Sequence, residues 1–131
     1  MSTPEAPLYT TLVVEDDPGM LTLLQEVLQE AGFATTCFSH GQPALTALAT
    51  HRFDVLVVDQ WLPDMNGLQI CEAARTYHGH EPVVLIVTAD ARREREHLAL
   101  QLCADDFIDK PFNIEELIAR IEARMRRVRR V

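Results

Sequence analysis

Short apolar runs rich in β-branched residues alternate with amphipathic stretches along the chain, and this alternation constrains the fold more than any other feature. Thr11-Leu12-Val13-Val14 ends in acids, Phe33 to Phe38 is weaker, Phe53 to Val58 is almost wholly apolar after Asp54, and Val83 to Val87 is the most β-branched. A shorter run surrounds Phe107-Ile108. Apolar runs of this kind suit parallel strands covered on both faces. Between them, Asp17-Pro18 reads as an N-cap and first helical turn, with Leu21, Leu24, Val27 and Leu28 at helical spacing and Gly32 as the stop. Ser39 is expected to cap a short helix through Leu48. A loop carrying Pro63, Asn66 and Gly67 leads into a helix with Leu68, Cys71 and Ala74, and Arg92 to Leu102 forms the next. Asn113 with Glu116 predicts a capping box for the last helix. Repeated β-then-α units predict a three-layer α/β/α fold, with a five-stranded parallel sheet and right-handed crossovers.

Composition narrows the class. The chain has 131 residues, 47% hydrophobic and 24% charged, as expected of one soluble globular domain. No apolar run approaches the ~20 residues of a membrane span, and Met1 to Pro7 lacks the basic-then-apolar pattern of an export signal. Residues 1–9 are expected to be a disordered tail, 10–128 the folded domain, and 129–131 the end of the last helix or the start of a linker. Cys37, Cys71 and Cys103 are scattered without metal-ligand spacing, which favours reduced thiols and a cytoplasmic location. His78 and His80 read as solvated loop residues. The net charge of −8 disfavours direct binding to nucleic acid. Six arginines after Asn113 read as the cationic last turns of a helix.

In open parallel sheets, ligands sit at the carboxyl ends of the strands. Those ends carry Glu15-Asp16-Asp17, Asp59 and Thr88, with Lys110 following the last strand. Taken singly, each has an ordinary explanation: Asp17 as a helix cap, Thr88 as a strand terminus, Lys110 as a surface lysine. Converging carboxylates repel one another, and a hard divalent cation resolves that repulsion. Magnesium fits best, with one to three carboxylates and the remaining positions filled by water and phosphate oxygens. Lys110 and Thr88 supply the ammonium and hydroxyl that would bind phosphoryl oxygens.

These residues, in order and spacing, resemble the response regulator receiver family over roughly residues 10–128. The matching stretches are Leu12-Val13-Val14-Glu15-Asp16-Asp17, Val57-Val58-Asp59 with Leu62-Pro63-Asp64-Met65-Asn66-Gly67, Val87-Thr88-Ala89, and Ala104-Asp105-Asp106-Phe107 through Lys110-Pro111-Phe112. The resemblance implies the flavodoxin-like strand order 2-1-3-4-5. It also implies Mg2+-dependent phosphoryl transfer onto Asp59 from a sensor histidine kinase or a histidine phosphotransfer protein. Asp16, Asp59 and the backbone carbonyl of Trp61 would bind Mg2+, with Glu15 acting largely through water. Thr88 and Lys110 would contact the phosphoryl group. Phe107 would be a switching aromatic that turns inward as Thr88 moves, and the Lys110–Pro111 bond would be cis. The domain would catalyse only its own phosphorylation and dephosphorylation.

Departures from the pattern carry further expectations. Trp61 and Asp90 flank the route of attacking water, so both are expected to set the phosphoryl lifetime; a Trp packed on its loop is the alternative. Cys103 stands where the family usually has glycine, and nothing nearby in sequence argues for a lowered thiol pKa. The C-terminal stretch resembles the winged-helix transcription-factor branch, whose receivers pair through the fourth helix, last strand and last helix. Asp106, Glu116, Arg120 and Arg127 fit that dimer face, whereas Glu96 and Leu102 do not. A phosphatase working through an aspartyl phosphate is the competing reading. It would want an aspartate where Trp61 stands.

Overall fold

The computed structural model describes residues 9–89, 91–93 and 103–128, the side chains of Arg127 and Val128 excepted. The strands are β1 (Tyr9–Val14), β2 (Phe33–Phe38), β3 (Val55–Asp59), β4 (Val83–Thr88) and β5 (Asp106–Asp109). The helices labelled here are α1 (Pro18–Glu30), α2 (Gly41–Thr50), α3 (Gly67–His78) and α4 (Ile114–Val128). Ala91 to Arg93 are also helical; the rest of the helix expected over 92–102 lies outside the described residues. All strands are parallel, in the order β2-β1-β3-β4-β5.

Side-chain alternation explains why the central strands are apolar throughout. Leu12, Val14, Leu56, Val58, Val84 and Ile86 face one core with Ala44 and Leu48 of α2 and Ile70, Cys71 and Ala74 of α3. Val13, Val55, Val57, Val83, Leu85 and Val87 face the other, with Leu24 and Leu28 of α1 and Leu117, Ile121 and Met125 of α4. Each strand thus feeds two layers, as the period of two requires. Burying each Leu, Ile or Val contributes about 1.5–3 kcal/mol.

Local signals account for most boundaries. Asp17 caps α1 by accepting from Met20 N at 3.1 Å, and Pro18 occupies the first turn. Gly32, with φ 97, makes the turn into β2. Asn66 caps α3 by accepting from Leu68 N at 2.9 Å.

Several expectations need correction. β1 begins at Tyr9, inside the stretch expected to be a tail, because Tyr9 pairs with Phe33. Ser39 does not cap α2. Its hydroxyl bonds the His40 ring, and the helix start is held by Asp64, which accepts from Gly41 N at 2.8 Å and Gln42 N at 2.9 Å. His78 belongs to α3 rather than a loop, and its Nε2 lies 2.9 Å from the Leu48 carbonyl oxygen. Asn113 accepts from Glu115 N and Glu116 N, but the Glu116 carboxylate takes the Arg120 guanidinium instead of completing a capping box.

Candidate functional site at the carboxyl edge of the sheet

Strand register assembles the site. Val14 lies opposite Val58, so Glu15 and Asp59, each one residue further on, emerge side by side where strand order reverses between β1 and β3. Asp59 lies opposite Val87 and Thr88 opposite Asp109, which brings Lys110 to the same edge. The backbone continues the pairing there: Lys110 N donates to the Thr88 carbonyl at 2.8 Å, and Gln60 N to the Val87 carbonyl at 2.8 Å. The Lys110–Pro111 peptide is cis.

Ligand oxygens of Glu15, Asp16 and Asp59 all lie within 4.8 Å of one another. Glu15 and Asp59 are buried at 1% and 4% exposure, whereas Asp16 is exposed. Lys110 Nζ donates to Asp59 Oδ2 at 2.9 Å and to Glu15 Oε1 at 3.3 Å. Asp59 Oδ1 also accepts from Trp61 N at 3.2 Å, and Glu15 Oε1 from Asp17 N at 3.2 Å.

These surroundings set the protonation tendencies. Burial holds Asp59 above the usual carboxylate range despite the Lys110 ammonium, and a hydrogen bond with Asp16 adds to the rise. Burial and then the Asp59 charge raise Glu15 in the same way. Burial alone would lower Lys110, but its bonds and charge interactions with Asp59 and Glu15 outweigh this and raise it. The pocket therefore carries a surplus of mutually repelling carboxylates beside a firmly protonated lysine. Such an all-oxygen donor set, facing solvent through Asp16, fits a hard divalent cation.

The loop after β3 is shaped around this pocket. Gly67 N donates to the Gln60 carbonyl at 2.6 Å, and a Cβ at Gly67 would fall 2.3 Å from the Asp59 carbonyl oxygen. Only glycine can pass that close. Trp61 pairs with Asn66 across the loop in an antiparallel bridge. Trp61 is 61% exposed.

Other sequence-predicted residues fall as follows. Thr88 is buried, and its hydroxyl donates to the Gln60 side-chain oxygen. Phe107 is already inside the core at 2% exposure, packed with the residues of the α2–α3 face. Of the expected dimer face, Asp106, Glu116 and Arg120 are paired within the chain: Arg120 reaches Asp106 at 3.0 Å and Glu116 at 2.8 Å. The Arg127 side chain, Asp90, Glu96 and Leu102 lie outside the described residues.

Sequence reasoning missed four contributors. Gln60, not singled out by the sequence, is 2% exposed and holds Thr88. Asp64 caps α2 from a distant loop, and Asp109 accepts from Ala91 N at 2.6 Å to start the following helix. Arg75 binds the Cys103 carbonyl at 2.7 Å, the Pro82 carbonyl at 2.8 Å and Asp105 at 2.9 Å. Only the acidic residue types hinted at two of these. Cys103 is buried beside Cys71, distant in sequence, and their interaction raises the Cys71 thiol and lowers that of Cys103.

A doubly wound parallel sheet with this strand order and an acidic pocket at its switch point defines a CheY-like α/β domain. The chain belongs to the response regulator receiver domain family, which matches residues 11–122, and it is thus a signalling domain of two-component systems. It is 41% identical over 116 residues to the DNA-binding response regulator MtrA of Mycolicibacterium smegmatis, a match covering 88% of this chain and 50% of MtrA. The chain therefore spans about half the length of such relatives. Among solved structures, a CheY-like receiver domain protein from Methanospirillum hungatei JF-1 superimposes with a TM-score of 0.85 at 25% identity, covering 94% of this chain and 98% of that one. Response regulator TrrA from Thermotoga maritima, in complex with Mg(2+)-BeF, gives 0.77 at 28% identity, covering 88% and 98%. Among the described residues, no helix is long and apolar enough to cross a membrane.

Proposed function

We propose that Asp59 accepts a phosphoryl group from the phosphohistidine of a sensor kinase or phosphotransfer protein. The observation that carries this reading is the cluster of Glu15, Asp16 and Asp59 within 4.8 Å, with Lys110 Nζ 2.9 Å from Asp59, at the switch point of the sheet. An Asp59 carboxylate oxygen attacks phosphorus, the P–O bond forms as the P–N bond breaks, and the donor imidazole leaves. Asp16, Asp59 and the Trp61 backbone carbonyl would hold Mg2+, with Glu15 acting through water. When bound, Mg2+ supplies the charge neutralisation that phosphoryl transfer needs. Lys110 and the Thr88 hydroxyl take the phosphoryl oxygens. The raised Lys110 stays cationic at neutral pH for that task. The domain catalyses only its own phosphorylation and dephosphorylation.

Residues 9–128 are the receiver unit in this reading, cytoplasmic and separate from any membrane. The chain matches about half of MtrA, a DNA-binding response regulator, which supports a receiver that governs a DNA-binding effector. DNA contact then belongs to that effector and not to this acidic domain. Phosphorylation would be read out through residues 92–102, β5 and α4. Asp106, Glu116 and Arg120 would exchange their contacts within the chain for contacts across a homodimer, which Arg127 would join. Nothing in these observations favours the phosphatase reading.

Incubation with acetyl phosphate, with Mg2+ or with a chelator, tests the assignment by intact mass. One added phosphoryl group is expected with Mg2+ and none with the chelator. Equal labelling in both would overturn the metal-dependent reading.

A further inference from the structure

We infer that Gln60 is a latch on the switch: its side-chain amide holds the Thr88 hydroxyl in the resting state and must release it before Thr88 can bind a phosphoryl oxygen. The inference rests on the phosphoryl-acceptor reading of Asp59 and deepens it.

The Gln60 backbone is fixed on both sides. Its N–H donates to the Val87 carbonyl at 2.8 Å, and its carbonyl accepts from Gly67 N at 2.6 Å. The residue therefore extends β3 alongside the end of β4, and its side chain is confined at 2% exposure. The Thr88 hydroxyl, on a residue equally buried, donates to that side chain. A buried acceptor that loses its donor bears the full penalty of desolvation, because no water replaces the lost bond. Moving Thr88 toward Asp59 therefore opposes a specific restraint, and an apolar residue at position 60 would supply none.

Phe107 sharpens the point. Its ring is already in the core, so its inward turn is not a remaining barrier from this conformation. The step that separates resting from active is then the exchange made by the Thr88 hydroxyl, from Gln60 to a phosphoryl oxygen. The Gln60 side chain takes its hydrogen bond from Thr88. It acts through Thr88 and is a positioning residue.

The test compares the wild-type domain with Gln60→Met. Trp61, the only tryptophan and adjacent to the pocket, provides a fluorescence signal for binding of beryllium fluoride at fixed Mg2+. Gln60→Met should bind beryllium fluoride roughly three- to tenfold more tightly, the range set by one buried hydrogen bond. Without that ligand, Thr88 resonances of the variant should move along the line joining resting and beryllium fluoride-saturated wild type. The midpoint for Mg2+ alone should stay within about twofold, whereas general loosening of the pocket would shift it. Unchanged beryllium fluoride affinity and unmoved Thr88 resonances would overturn the latch.

A second measurement covers a variant that fails to fold. Three-bond couplings of the wild-type Thr88 side chain should report one rotamer at rest, and averaged couplings would overturn the proposal. Should wild type itself fail to bind beryllium fluoride, the phosphoryl-acceptor reading falls and takes the latch with it. Normal wild-type binding with an identical Gln60→Met removes the latch alone.

Discussion

At the amino end of the sheet Asp105 and Arg75 meet one to one, whereas at the carboxyl end Glu15 and Asp59 divide the Lys110 ammonium between them, with Asp16 alongside. Asp105 accepts from Arg75 at 2.9 Å and from Val84 N at 2.7 Å, while the rest of the Arg75 guanidinium is taken up by the carbonyls of Cys103, Gly79 and Pro82. There charge is matched and donors are satisfied, which ties the start of β5 to α3. At the other end the carboxylates are buried far more deeply, with side chains 2% and 5% exposed against 34% for Asp105, and they outnumber their cation and are pushed upward in pKa. Matched charge at one edge holds the fold together. Unmatched charge at the other is a standing demand for a ligand.

The comparison can be broken most severely at Asp59. Asp59→Asn should abolish labelling by acetyl phosphate while leaving the domain folded, as read by intact mass and circular dichroism. It should also raise stability in the absence of metal, since it removes one of the repelling carboxylates.

At the other edge the effect should fall on stability. Arg75→Met leaves Asp105 without its cation and several carbonyls without donors, so urea unfolding should show a loss of about 3 kcal/mol. Mg2+ affinity should be unchanged, and a large change in it would mean that the two edges are not separate.

A third prediction sets pH against metal. Folded-state pKa values of Glu15 and Asp59 are raised, so the folded protein binds more protons than the unfolded chain above the ordinary carboxylate value of about 4. Their contribution to stability is complete below that value and is lost as pH rises through the raised ones. Mg2+ binds the ionised forms, so it should stabilise less near about pH 5 than near about pH 7.5, where about 1–3 kcal/mol is expected at saturating concentration. Thermal unfolding at both pH values checks this, and a larger Mg2+ effect at the lower pH would contradict it.

The smallest effect concerns Trp61. Trp61 is exposed and its backbone N–H donates to Asp59, and Trp61→Ala should change the lifetime of the phosphorylated domain by only a few-fold, measured as decay of the added mass. An unchanged lifetime would refute a shielding role.

Much of this architecture is legible in the residues alone, for physical reasons. β3 and β4 must be apolar on both faces, so their carboxyl ends are visible to within a residue, although β3 starts at Val55 and not at the expected Phe53. Whatever polar group follows them lands at the sheet edge. Asp59, Thr88 and Lys110 are found that way. Contacts formed only by folding leave no local trace. Asp64 caps α2 across 23 positions, so Ser39, nearer in sequence, reads as the cap. Gln60 is not singled out because its partner Thr88 lies 28 positions away. The Glu116 side chain has two uses open to it, and sequence cannot show that Arg120 wins over the helix N-terminus.

Locating the acyl phosphate tests the central claim most directly. After reaction with acetyl phosphate and Mg2+, borohydride reduction converts an aspartyl phosphate to a stable product that peptide mapping can place. The account predicts one modified residue, Asp59, and none when Mg2+ is chelated. Modification at another residue, or at Asp59 regardless of metal, would contradict it.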